Sequence, residues 1–356
     1  MQPRLPLALL LAACLAAACD EDTAGGSTCS SVADLTPILA QTRAGATEVG
    51  SALLLRVDQV RAALEVARAE ADPTASTESL QTHTRSLLET FAQYEPLAYG
   101  PDGAAVTVAR VNPFPLDEAA VSAYLTDGAA SFPDGPPAFD RGLPALEYAV
   151  FDSSLAAAGA LDDPDLDTVL SRIERELTAS VASWEAAEDF ADDTGTAAGS
   201  SFSVLVNALS RHFEDMRRDR LGIPAGVALG FPNPQTVQAP HAAMSLALLR
   251  EGVEASRGLY VGYAAGQHGI RDYLRGIDSP DARSLADDID AQYDAILAGL
   301  SAVDEPLSAA VADGGDAEDV QAAYNALSRQ VVDLKTDLPA VTCVAITYVD
   351  NPSDSD

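Results

Sequence analysis

The chain has 356 residues, with 54 acidic against 21 basic side chains and a formal charge of −33 at neutral pH. So negative a surface repels nucleic acid and anionic headgroups, so its first consequence is solubility and its second is attraction of cations. The basic side chains are almost all Arg, with Lys335 the only Lys, and none of the four cysteines stands in a Cys-x-x-Cys pair, which speaks against a redox motif or zinc site.

Arg4 is followed by an apolar run from Leu5 to Ala18 that is too short to span a bilayer and reads as a secretory signal over residues 1–18. Its end, Leu15-Ala16-Ala17-Ala18-Cys19, resembles the lipobox of bacterial lipoproteins, in which the cysteine becomes the lipidated first residue. Cys19 is preferred to Cys14 because it leads straight into a polar tether, residues 19–32; the alternative is an ordinary cleaved signal with an incidental cysteine. The expectation is an extracytoplasmic, membrane-anchored protein, in the periplasm or on the cell surface. In that oxidising setting the two cysteines left, Cys29 and Cys343, are expected to bridge and tie the termini together.

Beyond the tether, helix signals dominate. A first helix is predicted from Leu35 to Ala71, with Pro37 in its first turn and Leu53, Val57, Val60 and Leu64 on one stripe. A second follows Ser76 and stops at Glu95-Pro96. Short helices are predicted at Asp117 to Leu125 and at Pro144, and a longer one from Asp165 to Glu188. The Asp-, Gly- and Thr-rich stretch from Asp189 to Gly199 reads as a seam. Past it come helices at Ser201 to Leu221, Gln235 to Gly262, Ala282 to Val303 and Ala317 to Leu338. The alternation of Val344, Ile346 and Tyr348 predicts a strand over Val341 to Val349, and residues 350–356 form an acidic tail. The fold class is all-α: two packed helical bundles, residues 33–190 and 200–349, with a short C-terminal strand.

The most informative stretch is Arg141-Gly142-Leu143-Pro144-Ala145-Leu146-Glu147-Tyr148. Gly142 permits a sharp entry and Pro144 fits the first turn, where its missing N–H is harmless. Leu143, Leu146 and Val150 repeat at helical spacing, so Glu147 lies beside the apolar stripe. A carboxylate there is either a structural acid paired with an arginine such as Arg141 or Arg110, or a ligand. His83, His212, His241 and His268 form no His-x-x-x-His or His-Glu-x-x-His pair, and each reads as a surface or capping residue; His212 with Asp215 is the least improbable ligand pair. No Gly-x-Ser-x-Gly elbow or zincin helix is present, so a peptidase site is not assembled.

Taken in order, these landmarks resemble the imelysin (peptidase-like) family of bacterial envelope proteins. Gly142, Pro144 and Glu147 match the fixed positions of its Gly-x-His-x-x-Glu motif with Pro in place of His. Glu95 in Tyr94-Glu95-Pro96-Leu97-Ala98-Tyr99-Gly100, the loop Leu221 to Gly226, the stretch from Met244-Ser245-Leu246 to Gly262, and the ending Val344 to Asn351 are similar to further family landmarks. The resemblance implies a two-bundle extracytoplasmic protein associated with iron acquisition, with a metal site around the His and Glu of the motif. Here the imidazole is absent from position 144, and Glu95 with Glu147 are the remaining candidate ligands for iron or another divalent cation. The expected function is non-enzymatic binding of a ligand or metal near Glu147 in iron or metal uptake, with an envelope transport partner. The alternative is an envelope scaffold that has lost metal binding; a metallopeptidase is the least favoured.

Overall fold

A computed structural model describes residues 34–70, 74–102, 106–126, 140–227, 229–263, 266–312 and 315–347. The expected signal, Cys19, the expected tether, Cys29 and the acidic tail lie outside the described residues.

The first helix, α1 (Thr36–Ala69), starts where Asp34 accepts the Thr36 N–H at 2.9 Å and Pro37 occupies the first turn. Its stripe of Leu39, Leu53, Val57, Val60 and Leu64 is buried against α2 (Thr74–Tyr94) and α7 (Pro164–Ala186). Gly50 lets α1 and α7 approach closely, since a Cβ there would stand 2.5 Å from Val181 Cγ2. Between α2 and α7 come α3 (Val106–Val111), α4 (Glu118–Thr126), α5 (Leu143–Phe151) and α6 (Ser153–Ala157). The side chain of Asp163 caps α7, and Trp184 near its far end donates to the Leu97 carbonyl at 2.9 Å.

Beyond the 189–199 stretch, α8 (Ser201–Asp215) begins on the Ser200 cap. It packs against α13 (Ala317–Val332), while α9 (Ser245–Val261), α10 (Ile270–Gly276) and α11 (Pro280–Ala302) pack on one another; α11 lies along α13 and meets α14 (Leu338–Thr342), and α12 (Leu307–Ala310) meets the turn at residues 234–236. Helix α2 also lies along α9, and the buried apolar residues form one continuous cluster from Leu35 to Val344. The protein is all-α, as its sequence predicts.

Three element boundaries depart from the sequence expectation. The helix expected from Ser201 to Leu221 is α only to Asp215 and then widens into a π-helix, Met216–Gly222, as α13 does at Asp333–Asp337. The helix expected from Gln235 starts only at Ser245, because Ala239 and Ala243 take left-handed conformations (φ 46° and 54°) around Pro240. The expected strand over Val341 to Val349 is absent among the described residues: α14 runs to Thr342, and Cys343 at φ 54° ends it. The extended residues that follow make one backbone bond, Ala345 N–H to Thr196 O at 2.8 Å, besides the bond from the Val344 N–H to the Thr342 hydroxyl, and meet side chains of α8. Ser203 Oγ (2.6 Å) and Asn207 Nδ2 (3.0 Å) donate to Ala345 O. With a helix face instead of a strand beside it, an alternating segment has no ladder to join.

Candidate functional site: a carboxylate-gripped loop beneath a cleft

Gly142 turns the chain into α5 at φ 80°, ψ −159°. A Cβ would stand 2.4 Å from Val111 O and 2.8 Å from Pro113 Cδ, so only glycine fits. Pro144 then sits in the first turn, and α5 is buried from Leu143 through Val150.

Glu147 is 1% exposed, and its carboxylate grips a backbone: Oε1 accepts the Ala242 N–H at 2.5 Å, and the His241 N–H adds a second bond. Burial pushes this carboxyl up to about 7, against the lowering pull of the two amides and the His241 ring. The expected arginine partners are engaged elsewhere. Arg141, also buried, binds Asp140 at 2.8 Å, and Arg110 binds Glu176 at 3.1 Å. The loop can be gripped because residues 237–244 are not helical, so their N–H groups are free to meet a carboxylate.

Glu95 is equally buried and reaches the same loop indirectly. Arg220, on the π-helix, hydrogen-bonds Glu95 Oε1 with one arm and Gln238 Oε1 at 2.7 Å with the other. Glu95 Oε2 is buried without a hydrogen-bond partner among the described residues. His212 lies in this polar core and is 1% exposed, not on the surface as its sequence context suggests. Its Nε2 meets Gly252 O at 3.3 Å, and burial pushes it down to about 4, with Glu95 raising and Arg220 lowering it further. Asp215 serves Tyr99 instead of His212, accepting the phenol O–H at 2.8 Å.

His241 is the residue that sequence reasoning passes over. Its ring packs on Tyr148 with centroids 4.6 Å apart, Nε2 lies 3.0 Å from Glu118 Oε1, and Nδ1 lies 3.7 Å from Asp152 Oδ2. No local spacing links 118, 148, 152 and 241; the only sequence hint is Pro240, which disrupts the predicted helix beside it. Over His241 opens a cleft of about 800 Å³, lined by residues 115–118 and 233–236 with Pro240. A smaller groove of about 510 Å³ along α1 is lined mainly by small side chains, and its Arg43 is committed to the Trp184 and Glu185 carbonyls.

The imelysin sequence profile matches residues 55–334. The chain belongs to the imelysin family. Among solved structures, an iron-regulated protein A precursor from Parabacteroides distasonis superposes with a TM-score of 0.72 at 16% identity, covering 88% of this chain and 97% of that one. An imelysin-like protein from Psychrobacter arcticum superposes with a TM-score of 0.62 at 17% identity, covering 88% and 93%. No curated protein matches the chain.

In this imelysin-family chain the signature residues therefore act as follows. Gly142 sets the entry, Pro144 starts the helix, and Glu147 fixes the loop that carries His241. Glu95 and Glu147 converge on one loop, but Arg220 and backbone amides take up their bonded oxygens. Among the described residues no group of three or more His, Cys, Asp or Glu is arranged to hold a metal ion. The two motif carboxylates thus fit a cation poorly, because one already faces a guanidinium and the other is pushed towards its neutral form.

Proposed function

We propose that this imelysin-family protein is a lipid-anchored envelope protein that binds a ligand or metal ion in the cleft above Glu147 and serves iron or metal uptake without catalysing a reaction. The observation that carries this reading is the Glu147 grip on residues 241–242, which sets the floor of an open cleft walled by segments from both halves of the chain. The iron-regulated designation of the Parabacteroides relative supports the iron context. The Cys19 lipobox supports the anchor and extracytoplasmic location, with an envelope transport partner receiving the cargo. The side chains lining the cleft bring no Ser or Cys nucleophile beside a base, which favours binding over peptide hydrolysis.

Calorimetric titration of the purified full chain with ferrous, ferric, cupric, zinc and calcium ions tests the metal version. Binding is expected, and Glu147→Ala is expected to weaken it at least about tenfold by releasing the loop. Silence for every metal, or affinity unchanged in Glu147→Ala, would leave the scaffold alternative as the better reading.

A further inference from the structure

We propose that the loop tip carrying Val227, Leu229 and Phe231 docks the protein on a lipid bilayer, beside the wall of the cleft. The proposal rests on the Cys19 lipid anchor put forward above and adds the face of the molecule that meets the membrane. Seven large apolar side chains are exposed among the described residues, and three of them stand within five positions here, Phe231 being the most exposed at 61%. From Leu221 to Pro240 the sequence holds no Asp, Glu, Lys or Arg, in a chain where 21% of residues are charged. The tip is also stiff. The Asn233 N–H donates to the Pro224 carbonyl at 2.8 Å and closes the neck, and the Gly230 N–H donates to Gly226 O at 2.6 Å inside it. Gly226, at φ 77°, lies so close to the Phe231 backbone that a Cβ would stand 2.3 Å from its carbonyl carbon. Pro224, Pro232 and Pro234 restrict the chain further. The apolar side chains are therefore presented outward with little backbone freedom left to lose on docking.

Charge and reach select the bilayer as occupant. A surface at −33 is repelled by anionic headgroups over most of the molecule, and an uncharged stretch is where that repulsion is weakest. A phenyl ring with two aliphatic side chains is chemistry suited to the headgroup boundary, where apolar faces settle about 5–10 Å deep. Residues 19–33 separate the anchoring cysteine from Asp34 and span at most about 50 Å when extended. So short a tether holds the tip near the bilayer at an effective concentration on the order of mM, enough for a contact that would be too weak in a free protein. The cleft wall at residues 233–236 begins two positions after Phe231, so docking brings that wall to the bilayer, where a membrane-embedded transport partner would take the cargo.

The lipidated full chain carrying Phe231→Trp, reconstituted into neutral phosphatidylcholine vesicles with nitroxide-labelled acyl chains, provides the test. The native Trp184 is buried and should emit equally with and without the label. The introduced tryptophan is expected to lose at least about half of its emission, and adding Leu229→Asp should restore most of the loss. Leu55→Trp, at an exposed position on α1, should stay unquenched. Equal quenching at positions 55 and 231, or none at 231 although the mass of the chain shows an acylated Cys19, would overturn the docking and leave the anchor standing. Shielding of the introduced tryptophan from iodide in native envelope membranes but not in lipid alone would assign the tip to a protein partner and overturn the docking equally. A mass showing Cys19 unmodified would overturn the anchor and the docking together.

Discussion

His212 shows how far burial can move a side chain from its sequence-level reading. Held at about 4 against an ordinary value of 6.5, it stays neutral in the folded protein, while the unfolded chain takes up a proton below 6.5. Its contribution to stability is therefore fully present above pH 6.5 and is lost as the pH falls towards 4, on the order of 3 kcal/mol in all. Glu147 and Asp215 work in the opposite direction, because their folded values are raised to about 7 and about 6 and the folded state binds their protons first. Comparing the wild type with His212→Gln isolates the histidine. Urea midpoints should show the wild type losing ground to the variant between pH 6.5 and 4, and a constant gap would refute the assignment. Helical spacing located Glu147 beside the apolar stripe, but its partner was illegible. A backbone N–H has no sequence signature, and residue 242 is 95 positions away.

At the level of elements, the turn into α5 is the most constrained point. Gly142→Ala forces a left-handed residue and drives a methyl group into the Val111 carbonyl, so a loss of roughly 3 kcal/mol or more is expected. Thermal unfolding would check it, and a drop smaller than a few degrees would contradict the geometry. This glycine and the proline after it were readable because their conformational limits are intrinsic. The delayed start of α9 was not. The apolar pattern continues through 235–244, and the kink at 239–243 is held by tertiary contacts, including Arg220 to Gln238 and Glu147 to Ala242. The terminal segment makes the same point, since alternation signals an extended chain but does not say whether a strand or a helix lies beside it.

Over the whole molecule, the two halves are joined by polar as well as apolar contacts: Gln93 with Glu251, Tyr99 with Asp215, Glu95 with Arg220 and Glu118 with His241. One unfolding transition is expected, with Trp184 fluorescence and far-ultraviolet circular dichroism giving the same midpoint. Separated midpoints would show that the halves unfold independently. A bridge from Cys29 to Cys343 would close nearly the whole chain into one loop and stabilise it by about 6 kcal/mol in the loop-entropy picture. Thiol labelling of folded, secreted protein should leave both cysteines unreacted, and labelling of either would remove the bridge. By itself the sequence determined the all-α class, most helix positions, the family and the inward Glu147, because periodicity, capping and proline or glycine limits act within a few residues. Only the tertiary structure decided that Glu147 holds a loop instead of an arginine and that His241 meets Glu118 and Asp152. Those contacts join positions about a hundred residues apart, and it is chain packing that brings them within 4 Å of one another.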